Sequence, residues 1–275
     1  MPRQHNAGGA FHAKHALGQN FILDDGLLSE LADLSGVTRE DTVLEIGPGM
    51  GTLTRALSER AQRVLCVEYD ETLRPYLEAR LSGCKNVEIL FADALGIRFD
   101  KEIRKRFGEA APLRVCANLP YYITSELITK LTQELPDARS MALMVQREVA
   151  DKMRSAPGED GYGPLALRLQ RRYAVRIAKE VPRDCFEPKP KVDSAFVVLD
   201  RLDAPAVPVK DEAKLERLIR MSFAMRRKTL MNNLGAMGIP REESRRILQE
   251  MGLPESVRAE EMSLAEFCAL ADRIG

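Results

Sequence analysis

Hydrophobic and polar positions follow two spacings along the first two thirds of the chain. The runs TVLEIG, RVLCVEYD, NVEILFAD and LRVCANL are short, apolar and closed by glycine, acidic or amide residues, which predicts four strands. Between and after them, TLTRALSER, ETLRPYLEARL and SELITKLTQEL place apolar residues three and four apart, which predicts helices. SMALMVQREVADKMR begins as an apolar run and continues with helical spacing, and AVRIAKEV and DSAFVVLDRL predict two late strands. Strands alternating with helices require crossover connections, hence an α/β fold with a mainly parallel sheet covered on both faces. DAPAVPV, from Asp203 to Val209, predicts a linker. Beyond it EAKLERLIRMSFAMRRKTLMNNLGAMG, REESRRILQEMG and LAEFCALADRIG are all helical in spacing. The chain therefore divides into an α/β unit at 1–203 and a small all-helical unit at 209–275.

The 275 residues are 45% hydrophobic, enough for one large core or two unequal ones. No apolar run reaches the roughly 18 residues of a membrane span. MPRQHNAGGAFHAKHALGQNF lacks the apolar stretch of a secretory signal, so a cytoplasmic protein is expected. The five cysteines are scattered without a CxxC pair, which predicts reduced thiols rather than disulfides or zinc. His5, His12 and His15 all precede the body of the chain. A histidine-based triad or a histidine-rich metal centre is thereby excluded from it, and no metal is expected.

Net charge is zero, but the charges are segregated. Asp24 to Ala111 holds 12 basic and 17 acidic residues, whereas Arg139 to Lys191 holds 12 and 7. Lys214 to Gln249 holds 9 and 3. Solvated helix faces account for such runs as readily as a phosphate-binding surface does.

VLEIGPGMGTLT puts Gly47, Gly49 and Gly51 at a strand-to-helix turn, where backbone can approach a ligand closely. The third glycine arrives one residue early for a dinucleotide fingerprint, and Pro48 removes an N–H from any pyrophosphate cradle. A nucleoside without phosphates suits the turn better. Glu68 ends the second strand, where a carboxylate accepts from ribose hydroxyls. Asp93 ends the third and is a candidate acceptor for an adenine amino group. Asn118 ends the fourth. Singly, Glu68 and Asp93 read as helix caps or surface charges; their order along one sheet edge points to a cofactor site.

NLPYY follows at Asn118 to Tyr122. An exocyclic adenine amine is a poor nucleophile because its lone pair is delocalised into the ring. Two acceptors aimed at its hydrogens favour a tetrahedral nitrogen. Asn118 Oδ1 and the Leu119 carbonyl, presented by the restricted backbone before Pro120, are the candidates. Tyr121 is positioned to stack on a flipped base. A turn with core tyrosines remains the alternative.

HALGQNFILD, VLEIGPGMGTLT, VEYD, FADAL, NLPYYITS, QREVADKM, FEPKPKVDSAF and FAMRRKTLMNNL together resemble the ribosomal RNA small-subunit adenine dimethyltransferases over almost the whole chain. The resemblance implies a Rossmann-like class I methyltransferase sheet with a C-terminal helical domain and S-adenosyl-L-methionine as donor. It implies a small ribosomal subunit partner, with two adjacent 16S rRNA adenosines becoming N6,N6-dimethyladenosine. Residue by residue, it implies cofactor contacts at Gln19, Asn20, Ile22, Gly47, Gly49, Glu68, Asp93 and Asn118. It implies a catalytic group of Asn118, Leu119, Pro120 and Tyr121, with Phe186 sandwiching the target base against Tyr121. It implies phosphate contacts from Arg226, Arg227 and Lys228, although Ala224 and Met225 depart from the family's wording there. Ile22 stands where leucine is commoner. Nothing in the sequence suggests more than a monomer. Rival readings are a large-subunit rRNA methyltransferase conferring macrolide resistance, an assembly factor with an idle site, and an NAD dehydrogenase.

Overall fold

A computed structural model describes residues 19–108, 112–225 and 227–274. β1 (Phe21–Ile22) and α1 (Asp25–Leu34) precede the first long strand, β2 (Thr42–Ile46). α2 (Thr52–Ser58), β3 (Arg63–Glu68), α3 (Arg74–Leu81), β4 (Val87–Phe91), α4 (Phe99–Phe107), β5 (Leu113–Asn118), α5 (Thr124–Glu134) and β6 (Ser140–Gln146) then alternate. α6 (Arg147–Arg154) and α7 (Pro164–Arg172) lead to β7 (Tyr173–Val181), β8 (Phe186–Glu187) and β9 (Ser194–Arg201). The tail is α8 (Glu212–Ala224), α9 (Leu230–Ala236), α10 (Arg241–Glu250) and α11 (Leu264–Ala271).

Seven strands form one sheet in the order β4-β3-β2-β5-β6-β9-β7. β4 through β6 are parallel, while β9 runs antiparallel between β6 and β7. The chain leaves β2 towards β3 and β4, then returns to place β5 on the other side of β2. Such a switch of direction opens a crevice at the carboxyl ends of the two central strands. Every residue of β2 is buried, because helices cover both faces of the sheet. α1 begins at Asp24, whose side chain accepts from the backbone of Gly26 and Leu27, and buries Leu27, Leu28, Leu31 and Ala32 on one face.

The helical tail has its own core, including Leu218, Leu234, Leu248 and Phe267. That core also takes Tyr162, Ala166 and Leu167, while Leu169 of α7 belongs to the core of the sheet. α7 thus packs into both. The tail's first helical stretch is interrupted between α8 and α9. Buried Asn233 donates Nδ2 to the Ser222 carbonyl at 2.7 Å, and Leu230 N–H donates to the Val257 carbonyl at 2.7 Å. These bonds hold a bend that the spacing of apolar residues does not foretell. Two further departures from the sequence reading are the antiparallel β9 and the two-stranded β1–β8 sheet.

Candidate active site

A cavity of about 400 Å³ opens where β2, β3, β4 and β5 end. Gln19, Asn20, Ile22, Gly47, Gly49, Glu68, Asp93, Asn118, Leu119, Pro120 and Tyr121 all line it. The strand ends bring them together: a Cβ added to Gly47 would lie 3.8 Å from the Asn118 carbonyl oxygen.

The glycine turn is closed by its own hydrogen bonds. Gly47 N–H donates to the Val67 carbonyl at 2.9 Å, and Gly51 N–H to the Pro48 carbonyl at 2.8 Å. Gly49 N–H donates to Glu68 Oε2 at 3.1 Å. With Pro48 lacking a donor, the turn has no cradle for a pyrophosphate. Glu68 is buried, and its other oxygen accepts from Asp70 N–H at 2.8 Å. Burial raises its carboxyl above the ordinary glutamate range, and the Asp70 and Gly49 N–H bonds oppose the rise. The Tyr69 N–H bonds the same carboxylate, and about four lone-pair sites shared among three N–H groups leave acceptor capacity for a ligand hydroxyl. Asp93 is exposed and accepts from Leu95 N–H at 2.9 Å, so it also shapes its own turn.

A segment from far earlier in the chain closes the near side. Asn118 Nδ2 donates to the Asn20 carbonyl at 2.9 Å. A carbonyl accepts only from a donor, so this bond fixes which way the amide faces. Among the described residues, Asn118 Oδ1 and the Leu119 carbonyl accept no hydrogen bond. Gln19 Nε2 donates to Asp70 Oδ2 at 3.1 Å, and Thr52 Oγ1 to the Ile22 carbonyl at 3.2 Å. Phe21 lies against the glycine turn, and a Cβ on Gly49 would come within 2.5 Å of its ring.

Tyr121 is half-buried with its hydroxyl 2.5 Å from Ser194 Oγ. Tyr69 and Tyr122 are exposed at the rim, 61% and 59% accessible. Burial raises the Tyr122 phenol, as does the negative charge of Asp93, and Tyr122 lines the cavity together with Asp93, Tyr69 and Glu68.

Phe186 stands apart from these residues. It is 3% exposed and does not line the cavity. β8 pairs antiparallel with β1, which sets Phe186 opposite Ile22, and both belong to one apolar cluster. Arg227 and Lys228 are exposed between α8 and α9, in no ion pair among the described residues; Arg226 lies outside those residues.

Sequence reasoning passed over Glu45, Phe21, Tyr69 and Ser194. Glu45 carried a signal, a single acid inside an apolar strand two positions before the first glycine. It lines the cavity at 1% exposure. With Glu68 and Asp93 it makes three carboxyl groups, and no lysine, arginine or histidine among the described residues joins them. The cavity is therefore built for a ligand carrying positive charge.

Residues 10–275 match the model of a family described as Ribosomal RNA adenine dimethylase. A ribosomal RNA small subunit methyltransferase A from Clostridium perfringens is 39% identical over 264 residues, 96% of this chain and 91% of that one. The crystal structure of the 23S rRNA methyltransferase ErmE matches with a TM-score of 0.69 and 26% identity, over 93% of this chain and 99% of that one. A dimethyladenosine transferase from Plasmodium falciparum shares the fold with a TM-score of 0.76 at 24% identity, over 91% of this chain and 95% of that one.

Proposed function

Because the chain belongs to the ribosomal RNA adenine dimethylase family, we propose that it methylates N6 of two adjacent adenosines near the 3′ end of 16S rRNA. It does so as a cytoplasmic monomer acting on the small ribosomal subunit, with S-adenosyl-L-methionine as donor. The relatives near 39% identity carry small-subunit names, whereas the large-subunit enzyme ErmE stands at 26%.

The cavity suits that donor. Its carboxyl groups match a cationic nucleoside, and its glycine turn offers no seat for phosphates. When bound, S-adenosyl-L-methionine supplies a methyl group made electrophilic by the adjoining sulfonium. Glu68 takes the ribose hydroxyls on its remaining lone pairs, and Asp93 accepts from the adenine amino group. Gln19, Asn20 and Ile22 close over the other end.

The observation that carries the reading is the anchored amide of Asn118. One Nδ2 hydrogen goes to Asn20, which orients the amide so that Oδ1 is the acceptor offered to substrate. Oδ1 and the Leu119 carbonyl accept the two N6 hydrogens of the target adenosine and draw its lone pair out of the ring. Positioning then supplies much of the rate without a general base. Tyr121, held through Ser194, stacks on the base. Phe186, set opposite Ile22 by the pairing of β8 with β1, is the candidate for the other face of the base. Arg226, Arg227 and Lys228 meet rRNA phosphates.

The test is methyl transfer from labelled S-adenosyl-L-methionine into under-methylated small subunits, with large subunits in parallel and the product identified by mass spectrometry. Dimethyladenosine in the small subunit is expected. Label confined to the large subunit would move the chain to the other branch, and binding without label would leave an assembly factor.

A further inference from the structure

Glu45 has an environment unlike that of any other acid around the cavity. It sits in β2, lines the cavity and is 1% exposed. β3 presents Cys66, its register partner, whose Sγ donates to Oε2 at 3.5 Å, and beyond it Glu68. α2 presents the Thr54 hydroxyl, 3.9 Å from the same Sγ. β5 presents the buried Cys116 thiol, which the Glu45 charge raises further above its burial-raised pKa. From α1 come the apolar Leu28 and Leu31, which line the cavity with it. No cation is among these groups. An ionised carboxylate in such a place has only weak donors and a like charge for company, and its ionisation is correspondingly unfavourable.

We propose that Glu45 is the buried counter-charge of the cationic cofactor, releasing a proton to solvent when the cofactor enters and recovering one when the cofactor's positive sulfur becomes neutral. This rests on the cofactor assigned above. Burial pushes the Glu45 carboxyl up to about 7; the Thr54 and Cys66 hydrogen bonds oppose the rise and the Glu68 charge adds to it. With the cavity empty the carboxyl is therefore about half protonated at neutrality and largely protonated at pH 6. A cation entering the same cavity favours the ionised form, and one proton leaves to bulk water. Methyl transfer turns the sulfonium into a thioether, removing that positive charge. The carboxylate then takes one proton back from water, and the favourable pairing is gone. The same group thus strengthens donor binding and weakens product binding, without touching the transferred methyl.

Proton exchange on binding is measured by titration calorimetry at pH 6 in two buffers of different ionisation enthalpy. Wild type is expected to release close to one proton per S-adenosyl-L-methionine bound, and clearly less with S-adenosylhomocysteine. Glu45→Gln abolishes the release and narrows the preference for donor over product by about tenfold, one pKa unit of differential interaction. Release that persists in Glu45→Gln assigns the proton to Glu68 and overturns the proposal, as does binding to wild type without release. If the donor fails to bind at all, the proposal falls together with the function it rests on. A variant that does not fold is bypassed in the wild type by difference infrared spectroscopy. Loss of a protonated-carboxyl band on donor binding is expected, and its absence refutes the counter-charge. Ligand-free stability gives a separate readout. The folded carboxyl titrates near 7 against its ordinary 4.5, so the folded state holds the extra proton between those values. Stability present below about 4.5 is then lost as pH climbs through about 7, and Glu45→Gln removes that loss.

Discussion

Asn118 Nδ2 donates to the carbonyl of Asn20, a residue 98 positions earlier, at 2.9 Å. One side chain therefore both ties down the segment at Asn20 and, on the proposed function, presents Oδ1 to the substrate. Asn118→Ala should lower single-turnover methyl transfer by about 10²-fold or more, the scale for losing one placed electrostatic contact in a site. Subunit binding, which the proposed function assigns to the basic tail, should change little. Filter binding and rapid-quench rates measured side by side separate the two effects. A variant turning over at a near-normal rate would end the proposed role.

Gly49 and Phe21 are expected to show the opposite of independence. A Cβ at Gly49 meets the Phe21 ring at 2.5 Å, and Gly49 sits at φ +57°. Gly49→Ala combines an overpacking clash with left-handed strain of about 1–2 kcal/mol. In a Phe21→Ala background only the strain remains. Urea unfolding of the two single variants and the double variant should give a coupling of at least about 1 kcal/mol. Additive losses would show that the ring is free to move away.

The seam between the two units makes an asymmetric prediction. Arg171 is buried and donates to both Glu212 oxygens at 2.6 and 2.7 Å and to the Val207 carbonyl at 3.2 Å, whereas the Glu212 side chain is 53% exposed. Glu212→Ala strands a buried guanidinium and should destabilise by about 3 kcal/mol. Arg171→Met leaves a carboxylate that water can solvate and keeps apolar volume in place, so it should cost about 1 kcal/mol. Chemical denaturation decides; equal losses would contradict the picture.

Arg227 and Lys228 test the RNA surface. Replacing both with alanine should weaken binding to small subunits and reduce the slope of log affinity against log salt by about 1.5. Titrations at three ionic strengths suffice. An unchanged slope would remove these two residues from the interface.

Much of the site was legible because each of its strands is an apolar run closed by a polar residue, and the ends of parallel strands gather at one edge. Glu68, Asp93 and Asn118 could be placed on that logic alone. Phe186 could not. Its position follows from a two-residue pairing with Phe21 and Ile22, far apart in sequence and too short to leave a periodic trace. The burial of Glu45 was hidden for a related reason. A lone acid in an apolar strand is visible, but what surrounds it depends on α1, α2 and the neighbouring strands arriving together. The antiparallel β9 likewise follows from how the chain returns to the sheet, which residue spacing does not encode.

α7 gives Leu169 to one core and Ala166 and Leu167 to the other. Severing the chain at the linker would not yield two clean halves: the catalytic half would keep α7 and bare the face that the tail had covered. A protease meeting the chain should thus find it either wholly resistant or wholly digestible. Deleting the tail to isolate methyl transfer from rRNA docking would be expected to yield insoluble protein instead.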